Sequence, residues 1–228
     1  MHAPYQLLIF DYDGTLCKTD ETILYTFGKT FAHYNQTMPP EARIRDGISS
    51  GMTLRDFLPF LRPELKNTPD ELQEWVHTYR HIYSTEAEPI TTLFDGAHDT
   101  IQWIKEQGIP CVVISNKGQQ AIEESLHRFE LYDFFDLIIG DNPKHPLRKK
   151  PDPQVYHQEI HPRYPQIPSH QVLMIGDTDA DLLFANNAGV HGCWASYGFG
   201  KPDACAAAQP THIIKSLPEL KNLLQAGK

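Results

Sequence analysis

The sequence predicts an α/β fold: a parallel sheet in a Rossmann-like core, helices on both of its faces, and a helical cap inserted after the first strand. Three observations carry this. Apolar runs of strand length alternate with stretches of helical spacing from about residue 92 onward. One further strand-like run stands at the amino terminus, far from the next. The interval between them, residues 20–88, has helical periodicity and no convincing strand. Strands that alternate with helices imply right-handed crossovers and a parallel sheet, with ligands at the carboxyl ends of the strands.

The elements follow in order. The run "YQLLIF", ending near Phe10, is too short for a membrane span and rich enough in aliphatic and aromatic residues to form a buried strand. In the interval, "DETILYTFGKTFAHYN", "MTLRDFLPFL" and "TPDELQEWVHTYRHIYSTE" carry helical spacing. Asp20 and Thr68 stand where N-caps belong, Pro69 suits a first helical position, and Pro39, Pro40 and Pro63 mark breaks. Beyond it, "GAHDTIQWIKEQG" reads as a helix closing at Gly108 and "PCVVISN" as a buried strand. "GQQAIEESLHRFEL" is a helix, "FFDLIIGD" and "VLMIGDT" are strands, and "ADLLFANNAG" is a helix closing at Gly189. "GCWAS" and "HIIK" are short strands. The expected organisation is a core of residues 1–18 and 90–228, with residues 19–89 as the inserted cap.

Composition narrows the function. With 228 residues, 40% of them hydrophobic, and no low-complexity tract, the chain folds into a substantial core. A formal net charge of −9 and no basic run beyond "RKK" at 148–150 argue against a nucleic-acid partner and for a small anionic ligand at a local basic spot. Cys17, Cys111, Cys193 and Cys205 are scattered without a C-x-x-C pair, which fits buried thiols in a reducing compartment. The start "MHAPYQLLIFDYDG" reads as neither a signal peptide nor a membrane span, so a cytoplasmic location and no membrane partner are expected. Oligomeric state is not legible.

The chemistry gathers at strand ends. Asp11 and Asp13 follow the first strand, and in extended chain the side-chain period of two points both to one side while Tyr12 points away. Two like charges so placed call for a cation, a shared proton or strong donors. Gly14 permits a tight turn and Thr15 adds a hydroxyl. Three more polar clusters end strands: Ser115 and Asn116 after "VVI", Lys150 in "RKKPDP" after "LIIG", and "GDTDAD", residues 176–181, after "VLMI". Each is ordinary alone, since a lone lysine is usually surface and Ser-Asn after a strand is usually a helix cap. Together and in this order they form a specific signal.

In these four motifs, "DYDGT", "VVISN", "KPDP" and "GDTDAD", the sequence resembles the haloacid dehalogenase superfamily of phosphohydrolases, and within it the phosphoglycolate phosphatase-like branch. The resemblance covers the whole chain, with a helical insert where that branch carries its cap. It implies a phosphatase acting on a small phosphorylated metabolite through an aspartyl-phosphate. Asp11 is then the nucleophile, and Asp13 is general acid and then base. Mg²⁺ is held by Asp11, the Asp13 carbonyl and Asp177, with Asp181 just outside that set, while Ser115, Asn116 and Lys150 hold the phosphate. The segment "HQEIHPRYPQIPSH", 157–170, departs from the family pattern but leaves the four motifs intact.

Other features weigh less. His77 and His81 at i, i+4 lack a third ligand and read as a polar helix face. Arg43, Arg45 and Arg55 flank a Gly/Ser loop in "RIRDGISSGMTLR", and the expectation is that this segment faces the catalytic strand ends and reads a carboxylate such as that of phosphoglycolate. The alternatives are a phosphomutase of the same superfamily acting on a sugar phosphate, which shares all four motifs, and a non-catalytic phosphate-binding or receiver-like signalling protein. The second has no need of a large cap or of Asp13. A dehalogenase is disfavoured, because the superfamily's dehalogenases lack the aspartate that stands here as Asp13.

Overall fold

A computed structural model describes residues 4–225. Its centre is a six-stranded, wholly parallel sheet, whose strands are β1 (Leu7–Phe10), β4 (Cys111–Gly118), β5 (Leu137–Asp141), β6 (Val172–Gly176), β7 (His191–Ala195) and β8 (His212–Ile214). They lie in the order β5-β4-β1-β6-β7-β8. The first strand is therefore central, flanked by β4 and β6, and the chain reverses direction across the sheet on either side of it. Such a switch point opens a crevice at the strand carboxyl ends.

Burial explains the apolar runs. Every residue of β1 and β6 is buried, because helices cover both faces. On one face α5 (Ala97–Glu106), α6 (Gln119–Arg128) and α9 (Glu219–Gln225) pack over Leu8, Phe10, Val113 and Ile175. On the other, α7 (Asp179–Ala188) packs over Ile9, Val112 and Met174. The Pro- and His-rich segment belongs to this second face: it runs through short helical turns, and its Ile160 and Ile167, with Tyr156 just before it, are buried in the same cluster. A last helix, α8 (Pro202–Ala207), closes against α7 through Cys205. All four cysteines are free and buried.

Between β2 (Cys17–Lys18) and β3 (Thr92–Leu93) the described chain is helical: α1 (Asp20–His33), α2 (Glu41–Ser49), α3 (Leu54–Leu61) and α4 (Pro69–Ile82), with short turns between and after them. β2 and β3 pair antiparallel, so entry to and exit from this helical insertion are tied together. The insertion has its own core, in which Phe27 packs on Phe57 and Tyr79, and Trp75 packs on Phe31. Two details differ from the sequence reading. Thr19, not Asp20, stands at the N-cap of α1, and its side chain makes no capping bond. The first part of the expected Gly/Ser loop is helix, because Ile44, Gly47 and Ile48 lie on one buried face at helical spacing, and Gly47 lets Phe57 pack where a Cβ would collide with its ring. No helix among the described residues is long and apolar enough to cross a membrane.

Candidate active site

Four strand ends converge beneath the helical insertion. The parallel pairing of β1 with β6 sets Phe10 beside Ile175 and lets the Asp11 N–H donate to the Ile175 carbonyl at 2.8 Å. That register brings the two aspartates that follow these strands to the same level. The carboxylates of Asp11, Asp177 and Asp181 are all buried and offer oxygens within 4.8 Å of one another. Asp13 is not part of this cluster.

Lys150 is the cation inside it. The lysine side chain is 3% exposed, and its Nζ lies 2.6 Å from Asp11 Oδ1 and 2.5 Å from Asp181 Oδ1, with a third bond of 3.0 Å to the Ile114 carbonyl. Burial alone would lower the ammonium, but Asp11 and Asp181 raise it above its ordinary value. Asn116 fixes the backbone around it: its side-chain oxygen accepts from the Lys150 N–H at 3.1 Å, and its amide donates to the Gly51 carbonyl of the insertion at 2.9 Å. Asn116 therefore ties core, lysine and insertion together.

One lysine does not balance three buried carboxylates. Burial pushes the Asp11 carboxyl up to about 7, against the pull of Lys150, with Asp181 and Asp13 adding to the rise. Asp177 is driven well above the usual carboxylate range, first by burial and then by Asp181 and Asp11. Its oxygens accept from the Phe199 N–H at 2.7 Å and the Thr15 hydroxyl at 3.3 Å. Asp181 is fixed by the Thr178 N–H at 3.0 Å and its hydroxyl at 2.8 Å. This donor set is all hard oxygen and short of positive charge, which fits Mg²⁺ in both chemistry and charge. Close approach of the Asp13-Gly14 turn is what closes it. Gly14 has φ +77°, and a Cβ there would stand 2.1 Å from Asp177 Oδ2.

Asp13 turns instead to Lys117, whose Nζ is 3.1 Å from Asp13 Oδ1. Lys117 is itself held under the insertion, 4.1 Å from the centroid of the Tyr83 ring. Burial would lower this ammonium, and Asp13, followed by Tyr83, holds it above its ordinary value. The sequence reading did not single out Lys117. A signal was available, since it stands two residues beyond Ser115 at the same strand end.

A cavity of about 530 Å³ opens between these strand ends and the insertion, and Asp11, Asp13, Ser115, Asn116, Lys150 and Asp181 all border it. The segment 43–55 does reach it, but through Ile48, Gly51, Met52 and Leu54. None of the three expected arginines lines it. Arg43 donates to the Phe60 carbonyl and covers its ring, Arg45 is shared by Asp20, Glu21 and Glu41, and Arg55 donates to Gln73 and borders a neighbouring cleft. In that crowd of carboxylates Arg45 is pulled outward, and helix α2 turns Arg43 to α3. The arginine that does border the cavity is Arg80 of α4, paired at 2.6 Å with Asp141 at the end of β5. Nothing in the local sequence marks that pair, because its members are 61 residues apart. His77 and His81 are exposed on α4.

Known proteins share this architecture. Pyrophosphatase PpaX of Halalkalibacterium halodurans is 27% identical over 218 residues, which cover 95% of each chain. Its namesake from Bacillus mycoides is 24% identical over 222 residues with the same coverage. A haloacid dehalogenase-like family hydrolase from Streptococcus pneumoniae superposes with a TM-score of 0.82 at 25% identity, over 97% of this chain and 99% of that one. A predicted phosphoglycolate phosphatase from Haemophilus somnus shares the fold, with a TM-score of 0.83 at 21% identity over 97% and 99%. Residues 8–195 match the model of the haloacid dehalogenase-like hydrolases, and the chain belongs to that family of enzymes.

Proposed function

We propose that the chain is a Mg²⁺-dependent phosphatase that hydrolyses a small phosphomonoester through an aspartyl-phosphate, with the helical insertion acting as a cap. The observation that supports this most is Asp11 itself: a buried carboxylate at the end of the central strand, 2.6 Å from a buried lysine and grouped with Asp177 and Asp181. Asp11 attacks phosphorus with one carboxylate oxygen as the bond to the leaving oxygen breaks, and Asp13 gives that oxygen a proton. Water then attacks the aspartyl-phosphate, Asp13 takes its proton, and phosphate leaves with Asp11 restored. Lys150 and Ser115 draw charge from the phosphoryl oxygens. Asp11 and Asp177, with the Asp13 carbonyl, would hold Mg²⁺, which when bound supplies positive charge to the phosphoryl group and relieves the carboxylates. Asp181 reaches the reacting centre through Lys150. The buried free thiols fit a cytoplasmic location.

A second reading, hydrolysis of inorganic pyrophosphate, is favoured by the name of the PpaX relatives. The phosphoglycolate expected from Arg43, Arg45 and Arg55 is not favoured by the contacts of Arg43 and Arg45, which are engaged away from the cavity, while Arg55 donates to Gln73 beside a cleft that Ser115, Asn116 and Lys150 also line. Phosphate release by the purified chain across small phosphorylated compounds, with and without Mg²⁺, tests the proposal. Activity that needs the metal and disappears in Asp11→Asn is expected. Release by Asp11→Asn equal to that of the parent excludes Asp11 as the nucleophile.

A further inference from the structure

Beyond the ring of polar groups that would grip phosphate, the cavity has an apolar wall. Ile48, Met52, Leu54 and Phe57 of the insertion form one side, Tyr79 continues it, and Phe199 of the core closes it near the Asp177 carboxylate. Met52, Leu54 and Phe199 pack against the insertion's core yet are only partly buried, and all three border the cavity.

Charge bears on what such a wall serves. Six carboxylates border the cavity (Asp11, Asp13, Glu123, Glu124, Asp141, Asp181) against four cations (Arg80, Lys117, Lys144, Lys150). Of those cations, Lys150, Lys117 and Arg80 are already paired with Asp11, Asp13 and Asp141. A divalent cation then offsets one phosphate group, and for a second anionic group the cavity border offers Lys144 alone, against Glu123 and Glu124.

We infer that the substrate is the phosphomonoester of an uncharged, apolar alcohol, its alkyl or aryl group seated against Met52, Leu54 and Phe199. The inference rests on the phosphatase reading and narrows it to a substrate class. Apolar burial then sets specificity, at about fourfold in kcat/KM for each CH₂ added.

The test is a series of n-alkyl phosphates from methyl to hexyl, with phosphoglycolate and pyrophosphate alongside, assayed for phosphate release with Mg²⁺. The expected result is a stepwise rise along the series to a hexyl-to-methyl ratio of about 100 or more, with phosphoglycolate and pyrophosphate, which each carry a second anionic group, below hexyl phosphate. Leu54→Asp and Met52→Asp, each checked for folding by circular dichroism, should cut that ratio at least about tenfold. A flat series in the parent, or a preference for phosphoglycolate or pyrophosphate, overturns the inference and leaves the phosphatase reading standing. No release from any compound, with metal present, overturns that reading and the inference with it. An unchanged ratio in both folded variants removes the wall as its cause.

Discussion

Lys117 Nζ lies 3.1 Å from Asp13 Oδ1, so Asp13 has its own cation and stands apart from the buried cluster of Asp11, Asp177 and Asp181. The lysine rests against Tyr83, the first residue after α4, so a group from the insertion fixes the cation that fixes Asp13. The position of Asp13, proposed above as the acid and base, is thereby linked to the position of the insertion.

Lys117→Met should act as a partial copy of Asp13→Asn. With the cation gone, Asp13 loses its fixed orientation, and turnover of an alkyl phosphate should fall by about 10- to 100-fold, less than the roughly 10² to 10⁴ expected for removing proton transfer itself. A good leaving group needs no proton. Assays with p-nitrophenyl phosphate beside an alkyl phosphate check this, and equal losses on both would place Lys117 in phosphate binding or folding instead.

Lys150 and Lys149 should behave as opposites although they are adjacent. Lys150 is buried on Asp11 and Asp181, whereas Lys149 is half exposed and pairs with Asp56 of α3. Lys150→Ala removes a preorganised charge from the phosphoryl site and should cost on the order of 10² to 10³ in kcat. Lys149→Ala breaks an exposed ion pair worth at most about 1 kcal/mol. Steady-state kinetics of the two variants settle the register of this motif, since a reversed pattern would assign the site to Lys149.

Much of this site was legible because its residues stand at the ends of short apolar runs, where a parallel sheet must bring them together. Asp11, Ser115, Lys150 and Asp177 needed only strand order to become neighbours. What the sequence concealed is of two kinds. The direction of long side chains depends on competing partners: Arg45 carries the right charge in the right segment, yet three nearby carboxylates hold it outside the cavity. Pairs between distant elements, such as Arg80 with Asp141, exist only once α4 is laid over β5. The apolar wall belongs to the second kind, because Leu54 and Phe199 look like any helix or loop hydrophobes until the two parts of the chain meet.

Asp177→Asn should make the metal-free protein more stable while removing its response to Mg²⁺. A carboxyl whose pKa is raised on folding holds its proton more tightly folded than unfolded. Stability therefore falls as pH rises through the window between the unfolded and folded values, and the cost persists above it. Asparagine never carries that charge, and its oxygen still accepts from the Phe199 N–H. A gain of about 1 kcal/mol corresponds to roughly 2–4 °C in Tm for a chain of this size. Parent protein should gain Tm as Mg²⁺ is added, because a ligand that binds the folded state alone stabilises it. Thermal melts near neutral pH with and without Mg²⁺ measure both effects. A variant that melts lower without metal, or still responds to it, contradicts the crowding of charge assigned to this cluster.

Two glycines in the same backbone conformation should respond very differently to alanine. Gly14 has φ +77° and Gly108 has φ +71°, so each substitution pays the left-handed cost of about 1–2 kcal/mol. At Gly108, which ends the turn after α5, a Cβ meets nothing within 4 Å. At Gly14 it would stand 2.1 Å from Asp177 Oδ2 and 2.6 Å from its Cγ, far inside contact distance. The Asp177 side chain has no room to retreat, because it is fully buried and held by Phe199 and Thr15. Gly14→Ala must therefore push the Asp13-Gly14 turn away from Asp177, separating the Asp13 carbonyl from the cluster that would hold Mg²⁺. Gly108→Ala should lower Tm by a few degrees, about 2–4 °C per kcal/mol, and keep full phosphate release. Gly14→Ala should lose at least as much stability again, together with about 10²-fold or more in turnover from the misplaced carboxylate and most of its Mg²⁺-induced rise in Tm. If the two variants matched in activity and metal response, the tight contact between Gly14 and Asp177 would not be what shapes this site.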